Sequence, residues 1–177
     1  EYNPLFRSSE SCLPCHDMTV RGVEVERTYS EWDAVPQFKM GGGTPCQECH
    51  MPVESRQAAS GGPIREVHRH TFVGVDLDLS IQAEENPQYD AVASLLENAI
   101  TLEFGNPNHP FDSLHTRLYA GDSLFIPITI SNTHTGHSLP SGVSFAREAW
   151  MEAIVINNED SLFLSGFLTS NTMELDI

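Results

Sequence analysis

The stretch Cys46-Gln47-Glu48-Cys49-His50 decides how this chain is read, and Cys12-Leu13-Pro14-Cys15-His16 repeats its pattern. Residues three and four apart lie on one helix face, so two thiols and an imidazole in this spacing converge on one object. A Cys-x-x-Cys-His run is the attachment signature of a c-type haem, in which both cysteines form thioethers with vinyl groups and the histidine reaches the iron from the proximal side. All four cysteines of the 177-residue chain fall in the two runs. Two covalently attached haems c are expected, held by Cys12, Cys15, Cys46 and Cys49, with His16 and His50 as proximal iron ligands.

A zinc ribbon and a redox dithiol are the rivals. Ribbons commonly separate their cysteine pairs by about 15 to 20 residues, whereas Cys15 and Cys46 lie 31 positions apart. Zinc gives no reason for a histidine directly after both pairs, and a redox dithiol belongs in a βαβ context that the N-terminal region lacks.

Composition narrows the setting. Nine Lys and Arg against 25 Asp and Glu give a formal charge of -16. Nucleic acid is excluded as a ligand class, because phosphate binding needs clustered cations. Such a charge suits a basic redox partner. No apolar run approaches the roughly 18 residues of a membrane-spanning helix. Covalent haem attachment takes place outside the cytoplasm, so a periplasmic or extracellular location is expected. The start at Glu1, without Met or leader, fits an export segment already removed or a partial chain.

Along the chain, residues 1–66 carry both motifs on short helices and loops. Pro14 belongs near a helix start. Thr28-Tyr29-Ser30-Glu31 has capping-box form, with Trp32, Val35 and Phe38 at helical spacing behind it and Pro36 limiting the helix. Thr44-Pro45-Cys46-Gln47 predicts a second start, with Thr44 as N-cap and Gln47 reaching back to it. From residue 67 the character turns to β. Val73, Val75, Leu77 and Leu79 alternate as in a strand, as do Leu124, Ile126, Ile128 and Ile130, where Pro127 marks an edge or bulge. A helix is expected near 87–99, with Val92, Leu95, Leu96 and Ile100 on one stripe. A long strand over 145–156 turns at 157–160 into a partner over 162–168. The predicted fold class is α+β, a haem-bearing N-terminal region (1–66) followed by a small antiparallel, sandwich-like β domain (67–177) that supplies distal histidines.

Each iron has a second axial place, and its occupant strongly affects reactivity and potential. His68 and His70 fall on one face of an extended segment, about 7 Å apart. His137 sits in the loop 131–142, where a ring can be held rigidly; His134, in the same loop, is a weaker candidate, and His109 and His115 are read as solvent-exposed. Met51 follows its own haem histidine too closely to cross to the other side. Histidine abundance therefore points to bis-histidine ligation, with His68, His70 and His137 as the distal candidates. The specific assignment is His137 to the first haem, His70 to the second, and His68 shared or donated.

The two motifs, together with Val67-His68-Arg69-His70-Thr71-Phe72, Gly136-His137-Ser138-Leu139-Pro140 and Arg147-Glu148-Ala149-Trp150, resemble the multihaem c-type cytochromes of anaerobic respiratory and metal-reducing microbes. The resemblance implies electron transfer through closely spaced bis-histidine haems, with other redox proteins as partners. Some members polymerise into extracellular filaments, so copies of the chain are the other expected partner. The alternative is an oxidoreductase reducing a small oxyanion or nitrogen compound at a five-coordinate haem.

Residues 1–66 hold too few apolar groups for an independent core, and small scaffolds need a staple or metal centre. A chain with all four cysteines replaced by serine is expected to lose native-like structure in this half; native-like amide dispersion over residues 1–66 contradicts that.

Overall fold

The computed structural model describes residues 3–39, 43–69, 71–105, 108, 117, 119–168 and 175–176. Short helices and small antiparallel ladders make an α+β fold. Among the described residues every sheet is two-stranded, so the expected sandwich is not what these strands build. The chain divides into two compact units, Glu1–Gly142 and Val143–Ile177.

In the first unit, the Asn3 side chain accepts from the Leu5 amide and starts a 3-10 turn, Pro4–Arg7. A second turn, Ser9–Ser11, leads into α1 (Leu13–His16). Pro14 sits in the first turn of α1, where its missing N–H has no partner to lose. Strands β1 (Met18–Val20) and β2 (Val23–Glu26) pair across Arg21 and Gly22. Both turn residues have positive φ, 52° and 83°, the conformation that matches the twist of a tight hairpin.

One helix is expected after Thr28, and the structure has two, α2 (Thr28–Asp33) and α3 (Pro36–Lys39). Proline disfavours helical geometry in the residue before it, which places the break at Val35. The second motif forms α4 (Cys46–His50) with extended Pro45, not Thr44, at its N-cap and no side-chain cap bond. Strands β3 (Val53–Gln57) and β4 (Ile64–His68) then pair with His68 opposite Val53. The boundary expected at residue 66 falls within β4, whose ladder with β3 runs through it.

The strand expected over 73–79 does not form. Val73 instead donates its amide to the His50 carbonyl and is buried. Helix α5 (Tyr89–Glu97) lies where the apolar stripe predicts it and buries Val92. Strand β5 (Thr101–Phe104) pairs with β6 (Ile128–Ser131), which takes only the last part of the alternating run 124–130. Pro127 has no N–H for a ladder; its carbonyl accepts from the Gly105 amide at 2.6 Å. Among the described residues the buried apolar side chains are Met51, Val73, Val92 and Ala99. No described helix is long and apolar enough to cross a membrane.

The second unit carries the expected hairpin, β7 (Ala153–Asn157) with β8 (Asp160–Ser165), turning through Asn158 at φ 53°. Its first strand starts later than expected, because Ser144–Ala146 forms a 3-10 turn. Strands β9 (Phe167–Leu168) and β10 (Leu175–Asp176) make the last ladder. Gly166 links β8 to β9 at φ +78°, and a Cβ there would lie 2.2 Å from the Met151 carbonyl oxygen. Gly166→Ala is expected to destabilise this unit by about 1–3 kcal/mol, since neither the backbone angle nor the space admits a methyl. Urea unfolding checks it, and an unchanged midpoint contradicts it.

Candidate functional site

The two motifs are held side by side by the second motif's own Gln47, which is 4% exposed. Its Nε2 reaches the Ser8 carbonyl at 2.9 Å, the Ser11 hydroxyl at 3.0 Å and the Phe6 carbonyl at 3.4 Å. The Cys46 amide donates to Ser9 Oγ at 3.1 Å. Gln47 thus ties α4 to the turns that feed α1 instead of closing a capping box on Thr44. Its Oε1 has no hydrogen-bond partner among the described residues.

This packing brings the Cys12 and Cys46 thiols into interaction. Burial first, then Cys46, push the Cys12 thiol up, while the Ser11 hydroxyl pulls the other way. Cys49 is raised by desolvation of its sulfur, then by the Glu48 carboxylate and Cys46, although the residue as a whole is exposed. All four cysteines are free thiols; Cys15 is exposed, and Cys12 and Cys46 are half-buried.

Three of the candidate histidines share one arrangement. His50 Nδ1 donates to the Val73 carbonyl at 2.5 Å, His68 Nδ1 to the Met51 carbonyl at 2.7 Å, and His137 Nδ1 to the Ser138 carbonyl at 2.8 Å. A proton held on Nδ1 by a carbonyl leaves the Nε2 lone pair as the free donor, and the bond makes that nitrogen a better metal ligand. His50 closes α4 and receives its orientation from Val73, whose amide returns a bond to the His50 carbonyl at 3.1 Å. His68 ends β4 and lines a cavity of about 350 Å³ together with Gln47, Phe6 and Val53.

The rings of His50 and His137 have their centroids 6.1 Å apart and their planes 20° from parallel. The loop bearing His137 is docked onto α2. Glu31 accepts from the Ser138 amide at 3.1 Å and from the Ser141 hydroxyl at 2.7 Å. The Thr28 and Ser141 hydroxyls are 2.7 Å apart, and buried Glu26 accepts from Thr28. Gly136 lies so close to α2 that a Cβ would stand 2.8 Å from Trp32 Cδ1. Within the loop, Asn132 Nδ2 and Thr135 Oγ1 donate to the His137 carbonyl at 2.8 and 2.6 Å.

His137, assigned from the sequence to the first haem, thus has its ring beside that of His50 of the second motif. His16 is exposed at the end of α1, beside Asp17, which accepts from the Ser30 hydroxyl. His134 is exposed. His70, His109 and His115 lie outside the described residues. Among the described residues no three or more His, Cys, Asp and Glu side chains converge as a protein-only metal cage requires.

Gln47, Glu31 and Val73 were not legible as site residues. Gln47 and Glu31 both stand at capping-box positions in the sequence, and both spend their side chains on distant partners instead. No protein-family model, curated protein or solved structure matches the chain.

Gln47→Leu keeps bulk but strips the bonds to Ser8 and Ser11, and is expected to lower stability by about 1–3 kcal/mol. Chemical denaturation checks this; a midpoint equal to that of the unaltered chain contradicts it.

Proposed function

We propose that the chain is a dihaem c-type cytochrome that carries electrons, with one haem thioether-linked at Cys12 and Cys15 and the other at Cys46 and Cys49. The single observation that supports it best is the opposition of His50 and His137. Two imidazoles bound through nitrogen to opposite sides of one metal ion, at about 2.0 Å each, stand with ring centroids roughly 6.2 Å apart. The separation of 6.1 Å between His50 and His137 fits that arrangement, and both rings keep Nε2 free by holding their Nδ1 proton on a backbone carbonyl.

A bound haem would supply an iron that alternates between the ferric and ferrous states. The chain's own residues do the rest. His50 and His137 would together hold the iron of the second motif, which favours an electron carrier over the oxyanion- or nitrogen-reducing alternative. Val73 and Ser138 fix the ring tautomers and raise the basicity of the ligating nitrogens. His16 would be the proximal ligand at the first motif, with His68 and His70 as the distal candidates there. His68, with Nδ1 on the Met51 carbonyl, already has the tautomer a ligand needs.

The close approach of Cys12 to Cys46 supports haems whose attachment edges adjoin, so that electrons pass between them without leaving the protein. The surfeit of exposed apolar side chains at the motifs, Phe6 at 73% and Leu13 at 40%, suits two porphyrins that cover them. Covalent haem attachment would put the working protein in the periplasm or outside the cell. The charge of -16 suits a basic redox partner, and copies of the chain are the alternative partner in a filament.

Mature protein from a host that assembles cytochromes c is expected to carry two haems per chain, low-spin in the ferric state. His137→Ala is expected to turn one of the two high-spin while both remain covalently attached. An intact mass equal to that of the bare polypeptide, or a His137→Ala spectrum identical to the unaltered one, contradicts the reading.

A further inference from the structure

The ring of His137 belongs to a loop that is 87 residues away in sequence from His50, so its place opposite His50 depends on what fastens that loop to the first half of the unit. The bonds from Asn132 and Thr135 to the His137 carbonyl shape the loop but do not attach it. Attachment comes from α2. The Gly136 side rests on Trp32 by shape alone. The other side is held by Glu31, whose carboxylate accepts from the Ser138 amide and the Ser141 hydroxyl.

Ser138 is common to both contacts. Its carbonyl accepts from Nδ1 of His137, and its amide donates to Glu31. Hydrogen bonds to a charged acceptor are among the stronger ones, and this one acts a single residue from the ring. A cavity of about 350 Å³ lined by Glu31, Val35, Gln37, Thr135 and His137 lies alongside.

We infer that Glu31 is the positioning residue that keeps His137 on the second iron, and that its clamp on Ser138 and Ser141 decides whether that iron is closed or open to an external ligand. The inference rests on the dihaem reading proposed above. With the clamp in place the iron exchanges electrons only. With the clamp gone His137 leaves, and a small anion or neutral nitrogen donor takes the vacated position. No bond other than the coordinate bond to iron changes, and no electron is transferred in the exchange.

The test measures cyanide binding to the full ferric protein, together with its spin state. The unaltered protein is expected to be low-spin and to bind cyanide slowly. Glu31→Ala is expected to show one high-spin iron of the two and cyanide binding at least tenfold faster at that iron. Glu31→Gln retains an oxygen that accepts from the Ser138 amide and is expected to stay close to the unaltered protein. Ser141→Ala, which keeps the Ser138 contact to Glu31 but removes the Ser141 contacts to Glu31 and Thr28, is expected to bind cyanide roughly threefold faster. A low-spin Glu31→Ala that binds cyanide no faster overturns the inference, as does a Glu31→Gln that opens as fully as Glu31→Ala. Unaltered protein without haem, or with a high-spin second iron from the outset, overturns the dihaem reading itself and is distinguished by the first spectrum recorded.

Discussion

One buried amide ties the two halves of the site together. Gln47 lies inside the second Cys-x-x-Cys-His motif yet bonds to the backbone and hydroxyl groups that precede the first. Because Nε2 of Gln47 and the Cys46 amide both engage residues 6–11, α4 cannot shift without pulling the lead into α1 with it. A buried donor that loses its acceptors forfeits its desolvation as well as the bond, so the register of the two motifs is strongly fixed. The proximity of Cys12 to Cys46 follows from that register.

The second constraint runs from α2 to the loop 131–142. Helix α2 has six residues and would be marginal by itself. It is stabilised by what leans on it: Trp32 donates to the Thr44 carbonyl, Gly136 packs on the Trp32 ring, and Glu31 and Thr28 meet Ser138 and Ser141. The same short helix thus faces the lead into α4 on one side and the His137 loop on the other. It is the part that sets the two histidines at a common separation.

Much of this was legible in the sequence, and the exceptions have physical causes. The motif helices, the helix near 87–99 and the 157–160 turn follow from spacing, proline placement and periodicity, which are local. The capping boxes at Thr28 and Thr44 failed because Glu31 and Gln47 had stronger distant partners, which no local pattern reveals. The strand over 73–79 failed because Val73 gives its hydrogen bonds to His50 and not to a ladder. His137 was legible as a ligand candidate from its loop, but its pairing with His50 depends on Glu31 contacts more than 100 residues apart in sequence.

The proposed electron carriage depends most on His50 and His137 binding one iron with their rings nearly parallel. Electron paramagnetic resonance of the fully oxidised protein tests this directly, because near-parallel axial imidazoles give a rhombic low-spin ferric signal and perpendicular ones a strongly anisotropic signal with a single large g value. A rhombic low-spin signal from one of the two haems that disappears on His137→Ala is the result the account predicts. A protein in which no such signal exists, or in which it persists unchanged without the His137 imidazole, contradicts it.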